Sequence, residues 1–149
     1  MKSIFEVEVR NEIIRRIDQL TTQLTPKWGS MEVAQMVRHC CLCEDYYFGK
    51  VNIKRSLLGK IFGQMAIKAI LKDEQATLNR NASSPKPFVV KEDITDLEGE
   101  KTEWKKRLHR YQEFESEFFT HWFFGKMTKE QLGQFVYKHC DHHLRQFGV

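Results

Sequence analysis

The stretch TKEQLGQFVYKHCDHHLRQF, residues 128–147, predicts the last helix of the protein. Thr128 and Gln131 have the spacing of a capping box, in which each side chain binds the backbone N–H of the other residue. Leu132, Phe135 and Val136 follow at helical intervals and define one apolar face. We therefore expect a helix that begins at Thr128 and runs toward Phe147.

Three further long helices are predicted upstream by the same criteria. Apolar residues recur at helical spacing over residues 7–23, from Ser30 to about Phe48, and from Thr95 or Asp96 to about Phe119. Residues 122–125 are expected to turn the chain into the last helix. A short turn before the last helix and a long crossover between the second and third are typical of a four-helix bundle. We predict an all-α fold, a single four-helix bundle domain over residues 1–149.

The crossover between the second and third helices has a distinctive charge pattern. Residues 50–72 contain no acid and six basic residues, namely Lys50, Lys54, Arg55, Lys60, Lys68 and Lys72. Ile53, Leu57, Ile61 and Met65 keep a helical spacing within this stretch. We predict an extra basic amphipathic helix here, with its apolar stripe packed on the protein and its lysines in solvent. Residues 79–93, which contain two prolines, are expected to form an ordered loop.

The composition is typical of a globular domain and argues against several classes of protein. The chain has 149 residues, with 24 Lys and Arg against 20 Asp and Glu. No run without a charged residue exceeds eight residues, whereas a membrane-spanning helix needs about 20 apolar residues in a row. Glu6, Glu8 and Arg10 interrupt the apolar region that a signal peptide requires. The net charge of +4 is too small to imply a nucleic-acid partner, and we expect none.

The cysteines indicate the redox compartment. Cys40, Cys41 and Cys43 crowd into four residues and cannot pair with one another without strain. Unpaired thiols are typical of proteins in a reducing environment. We therefore expect a cytoplasmic protein.

The pentapeptide His139-Cys140-Asp141-His142-His143 contains three of the six histidines. On an α-helix, residues four apart project from the same face, so His139 and His143 are spaced to hold one ion. The spacing also permits the pair His139 and His142. An open metal site usually has three protein ligands. His39, beside apolar residues in the second helix, is the best candidate for the third ligand, and Cys43 ranks second.

Two short segments make the sequence recognisable. His139-x-x-x-His143 followed by Leu144-Arg145-Gln146, together with a histidine at position 39, resembles the DinB/YfiT-like family of metal-dependent enzymes. Trp28-Gly29 and Gln35-Met36 resemble a subfamily known as a domain of unknown function. The resemblance implies an up-down-down-up four-helix bundle with nickel, zinc or a similar divalent ion on His39, His139 and His143. Many members have Arg-Gly-Gln where this chain has Leu144-Arg145-Gln146.

The expected function is catalysis on a small molecule. A three-histidine site with an open position can lower the pKa of a bound water, polarise a carbonyl or steady a thiolate. Hydrolysis and thiol transfer are both compatible with this chemistry, and the resemblance favours a small electrophilic substrate or a low-molecular-weight thiol. Glu44, Asp45 and Asp141 are the nearest acids in sequence, and none is decisively placed as a general base.

An alternative hypothesis is that the protein is not an enzyme. The protein would then be a binding or dimerising helical module, with the basic helix of residues 50–72 contacting an anionic lipid or nucleic acid. A homodimer is compatible with either hypothesis.

Overall fold

A computed structural model describes residues 1–149. It contains five α-helices and a two-stranded antiparallel sheet. In chain order the elements are α1 (Val7–Asp18), α2 (Val33–Tyr47), α3 (Leu57–Ile70), α4 (Leu97–His109), β1 (Phe118–His121), β2 (Gly125–Thr128) and α5 (Lys129–Gln146). Two short 3-10 helices, Lys86–Phe88 and Arg110–Glu113, lie in the connections.

The prediction of an all-α four-helix bundle is wrong, because the fold combines helices with strands. The predicted third helix, which was to reach Phe119, ends at His109 and passes through a 3-10 turn. Phe118–His121 then pairs with Gly125–Thr128 as a hairpin. Gly125 has a φ of +83°, a conformation that glycine adopts without steric cost and that lets the chain reverse here. Cross-strand pairing has overridden a local pattern that fits a helix equally well.

The helix ends differ in smaller ways. α1 ends at Asp18 rather than near residue 23, and α2 begins at Val33, where Glu32 and Gln35 form a capping box in place of a Ser30 cap. At α5 the predicted capping box is confirmed, since Thr128 and Gln131 each accept the other's backbone N–H, at 3.2 and 3.0 Å.

The core lies between α2 and its neighbours. α2 packs along α4, while α1 contacts both α4 and α5. Apolar side chains of every helix reach this interior; fully buried examples are Ile13, Ile17, Met36, Ile67, Trp104, Leu108, Leu132 and Leu144. The packing places α2 and α5 close enough for their polar side chains to meet.

Helix α3 lies in the predicted basic stretch, but the face that it turns toward the protein is not the predicted one. Its buried residues are Gly59, Gly63 and Ile67, and a Cβ on either glycine would overlap the backbone of Phe123 in the hairpin turn. Its large apolar side chains face solvent; these are Leu57, Leu58, Ile61, Phe62 and Met65. The prediction that the apolar stripe packs on the protein is therefore wrong, because two glycines form the close contact instead.

Polar side chains fasten α3 to the hairpin. The Arg55 guanidinium donates to the carbonyls of His121 and Phe123, at 2.7 and 3.1 Å. Gln64 Nε2 donates to the carbonyls of Phe124 and Lys126, at 2.7 and 2.9 Å. No helix of the protein combines the length and the apolar character that crossing a membrane requires.

Candidate metal centre

Three histidine rings meet where α2 and α5 face each other. His139 and His143 lie one turn apart on α5, and their ring centroids are 4.7 Å apart. His39 of α2 lies 5.5 Å from the His139 ring and 4.8 Å from the His143 ring. All three side chains are buried. The fold thus brings together the three residues that the sequence and the resemblance nominated.

The orientation of His39 is set by the crossover loop. Its Nδ1 lies 2.8 Å from the carbonyl oxygen of Phe88, a group that only accepts. Nδ1 must therefore carry the proton, and Nε2 has a lone pair that can accept a hydrogen bond or bind an ion. The Cys43 thiol lies 3.7 Å from that Nε2 and donates to it. The carbonyl of Phe88 gives His39 the outer support that ligating histidines commonly have.

The orientation of His143 is set by Gln146. Gln146 Nε2 donates to the carbonyl of Trp28 at 2.7 Å, so its Oε1 is the atom that faces His143. Oε1 lies 3.0 Å from His143 Nδ1 and accepts its proton, which leaves Nε2 of His143 free. Gln146 thus links His143 on the last turn of α5 to the backbone of Trp28.

His139 has no such support. Its ring stacks on Phe135 with a centroid distance of 6.1 Å, and its Nδ1 is buried without a hydrogen-bond partner. A buried nitrogen without a partner is costly, by roughly 1–3 kcal/mol, unless a ligand or ion binds it. This orphaned atom fits a site that a cation completes.

All three imidazoles are neutral at pH 7. Burial lowers the pKa of His39, lowers that of His139 well below 6.5, and lowers that of His143 to about 3. Each positive charge would also repel its neighbours in the cluster. The neutral form is the one that binds metals, so the ligands need no deprotonation at neutral pH.

Two sets of side chains bring three potential ligand atoms within 4.8 Å of one another. One set is His39, Cys43 and His139, and the other is Cys40, His139 and His143. The three histidines alone do not form such a set, so their joint ligation stays a prediction. The structure does contain His and Cys clusters that could hold a metal ion.

The cysteines widen the choice of ligands. Cys43 was the second-ranked candidate for the third ligand, whereas Cys40 was not among the candidates. Burial raises the pKa of both thiols well above 9, so both are protonated in the absence of a cation. Cys40 lies one residue after His39 and three residues before Cys43. This spacing does not distinguish a metal ligand from a core residue.

His142 faces a different environment from the other two histidines of the pentapeptide. Its ring contacts His143 on one side, at 5.1 Å, and Trp28 on the other, at 5.4 Å. It belongs to neither ligand set. It lines a cavity of about 230 Å³ together with Trp28, Arg80 and Arg145. Arg80 stacks over the Trp28 ring at 4.3 Å and forms no ion pair.

The nearby acids are all engaged elsewhere. Asp45 pairs with Lys50 and Arg107, and Asp141 pairs with Arg16 at 2.9 Å. Glu44 is fully buried, accepts a hydrogen bond from Tyr111, and has a pKa raised to about 7 by burial. None of the three contacts the imidazoles, which leaves the general base unassigned.

The remaining histidines do not join the cluster. His109 is exposed on α4. His121 is buried, and its Nδ1 accepts the backbone N–H groups of Phe123 and Phe124, both at 3.2 Å. It therefore has a role in the hairpin turn.

Comparison with known proteins identifies the family. No curated protein and no solved structure matches the chain. A family match covers residues 3–148, which is nearly the whole chain and includes every residue of the histidine cluster. The chain therefore belongs to the family described as protein of unknown function, DUF1569.

Proposed function

We propose that the protein is a metal-dependent enzyme that binds a divalent ion, nickel or zinc, through His39, His139 and His143 and acts on a small molecule. One observation carries the proposal: three neutral, buried imidazoles lie with ring centroids 4.7–5.5 Å apart, and one of them has an orphaned nitrogen. Burying three polar rings together is unfavourable unless they have partners. A shared cation would supply the missing partner.

The donor set fits nickel or zinc. Imidazole nitrogen suits both ions, and thiolate sulfur suits zinc in particular. Cys43 or Cys40 is close enough to replace or supplement a histidine in the two clusters. A site with three protein ligands would keep a position for water or substrate.

When bound, such an ion supplies Lewis acidity at the open position, which serves hydrolysis and thiol transfer alike. The protein contributes the positioning of the ligands. Phe88 and Gln146 hold the outer nitrogens of His39 and His143, so the inner nitrogens are aimed before an ion arrives. Preorganised ligands of this kind lose little freedom on binding.

The cavity beside His142 is the proposed entry for substrate. It borders the ring that packs on His143, and its volume of about 230 Å³ is on the scale of a small molecule. Trp28, with Arg80 stacked over its ring, lines the cavity, and Arg80 offers a positive charge that forms no ion pair within the protein. A small electrophile or a low-molecular-weight thiol fits these dimensions.

Two further parts of the proposal concern the wider family and the location. The arrangement of His39, His139 and His143 is what the DinB/YfiT-like resemblance implies, and we propose that relationship on the histidine pattern alone. The four cysteines are unpaired, which supports a cytoplasmic location.

Elemental analysis of protein purified without an affinity tag tests the proposal. We expect about one equivalent of nickel or zinc per chain, and a loss of most of it in His39→Ala, His139→Ala and His143→Ala. His109→Ala is the matched control, because that histidine is exposed and outside the cluster. Cys40→Ser and Cys43→Ser then distinguish the two His and Cys clusters.

Circular dichroism must show that each variant is folded. Full metal content in all three folded histidine variants would contradict the assignment. A histidine-dependent metal without turnover of any thiol or ester substrate would retain the site and remove the catalytic claim.

A further inference from the structure

We propose that helix α3 docks the protein on an anionic phospholipid surface through its outward face. This α3 apolar face consists of Leu57, Leu58, Ile61, Phe62 and Met65, whose exposed fractions range from 48% to 77%. Together they make up most of the large apolar side chains that the protein exposes. A contiguous apolar patch of this kind usually marks an interaction site.

Helix α3 buries its small residues and exposes its bulky apolar residues, which is the opposite of an ordinary surface helix. Gly59 and Gly63 lie against the hairpin turn, and Ile67 is also buried, while the bulky residues are exposed on the opposite side. In an ordinary surface helix the apolar stripe faces the core. Here the smallest residues form the contact and the largest remain in solvent, so burial within this chain does not account for the apolar face.

The charged residues of the stretch that contains α3, residues 50–72, are all positive. Four exposed lysines, Lys54, Lys60, Lys68 and Lys72, form no ion pair within the protein. No acid occurs between residues 50 and 72, and Asp73 and Glu74 come only after the helix has ended. Charge complementarity therefore calls for an anionic partner.

A lipid surface is the partner that uses both features. Interfacial helices bury Leu, Ile and Phe at the boundary of the acyl chains while Lys side chains reach the anionic headgroups. A second copy of this chain would bring lysines against lysines. A nucleic acid would attract the lysines but offers no apolar surface to five exposed aliphatic and aromatic side chains.

The helix is held in the orientation that docking requires. Arg55 and Gln64 tie it to four backbone carbonyls of the hairpin, and both glycines sit directly on that turn. The α3 apolar face is therefore presented by an ordered helix, and little ordering is needed on contact. This proposal is independent of the metal centre.

Vesicle cosedimentation of the full chain tests the proposal. We expect binding to phosphatidylcholine vesicles that contain phosphatidylserine, weaker binding to phosphatidylcholine alone, and a decline with added salt. Lys60→Gln with Lys68→Gln should lower the partition coefficient about fivefold per lysine, since each contributes about 1 kcal/mol near such a surface. Ile61→Ser with Phe62→Ser should lower it at least about tenfold through lost apolar burial.

The charge-matched control is Lys105→Gln with Lys106→Gln on α4, which should bind like the unaltered chain. Thermal denaturation confirms that each variant is folded. The proposal is overturned if anionic vesicles bind nothing at low salt, or if the α3 variants bind as well as the control. It is also overturned if sedimentation velocity finds a dimer that Ile61→Ser dissociates.

Discussion

Polar imidazoles are buried in one part of this molecule, and aliphatic side chains are exposed in another. Between α2 and α5, His39, His139 and His143 lie in the interior with few hydrogen bonds. On α3, large apolar residues face water. Each region departs from the usual rule of burial, and each departure is unfavourable for the isolated chain. Under the two proposals, the buried imidazoles would be stabilised by an ion and the exposed side chains by a lipid surface.

Acid should lower the free energy of unfolding of the metal-free protein because His143 is buried in its neutral form. The pKa of His143 is about 3 in the folded protein and near 6.5 when unfolded. The unfolded chain therefore binds the proton first, and stability present above pH 6.5 is lost as the pH falls toward 3. For the metal-free protein we expect a loss on the order of 5 kcal/mol from this residue, at about 1.4 kcal/mol per pKa unit. Urea denaturation at several pH values measures it.

His143→Gln should flatten this acid limb. Glu44 acts with the opposite sign, because its folded pKa of about 7 lies above 4.5, so its contribution falls as the pH rises through that range. Glu44 is present in both proteins and cancels in their difference. An unchanged acid limb in His143→Gln would show that the buried imidazole is not its source.

Two isoleucines of α3 should differ sharply in their effect on stability. Ile67 is fully buried, and Ile67→Ala should cost about 2–5 kcal/mol of the free energy of unfolding. Ile61 is 71% exposed, and Ile61→Ala should change it by less than about 0.5 kcal/mol. Chemical denaturation of the two variants makes the comparison within one helix. Equal costs would mean that the outward face of α3 is covered in solution.

Gly63→Ala should loosen α3 without disturbing the histidines. The added Cβ would overlap the Phe123 carbonyl, which is backbone and cannot move aside cheaply. We expect a cost of about 1–3 kcal/mol, typical of overpacking. Hydrogen exchange should speed up over residues 57–70 and stay unchanged around His139. Ala69→Ser, on the exposed side of the same helix, is the control.

Gln146→Ala should weaken metal binding without removing a ligand. The residue holds His143 Nδ1, and loss of such an outer hydrogen bond typically lowers metal affinity about 10-fold to 100-fold. Competition with a chromogenic chelator measures the affinity. Gln134→Ala, which removes only a bond to Glu130 on the same helix, should leave it unchanged. Equal affinity in both variants would remove the positioning role of Gln146.

Local patterns in the sequence predicted the helices better than the strands. The caps at Asp96 and Thr128 are confirmed by hydrogen bonds, because capping depends on residues three positions apart. Phe118 and Phe119 continue a helical spacing, yet they lie in β1 because residues 125–128 pair with that segment. Gly125 and the alternation of polar and apolar residues over Lys126, Met127 and Thr128 were the available signals.

The candidate site was predicted in part for the same reason. His139 and His143 share a helix, so their spacing alone places them on one face. The partner on α2 was nominated because His39 lies among apolar residues, and the family resemblance implied the same residue. Phe88 and Cys40 entered only with the structure. The carbonyl of Phe88 is a backbone group that a loop brings next to His39, and no pattern of side chains predicts this contact.

The four cysteines have a practical consequence. All are buried, and burial raises the pKa of each, to about 12 for Cys41. Alkylation requires an accessible thiolate. In metal-free protein, iodoacetamide therefore labels a cysteine only during transient openings of the interior. Mass spectrometry of the labelled peptides would read the frequency of those openings at four separate positions.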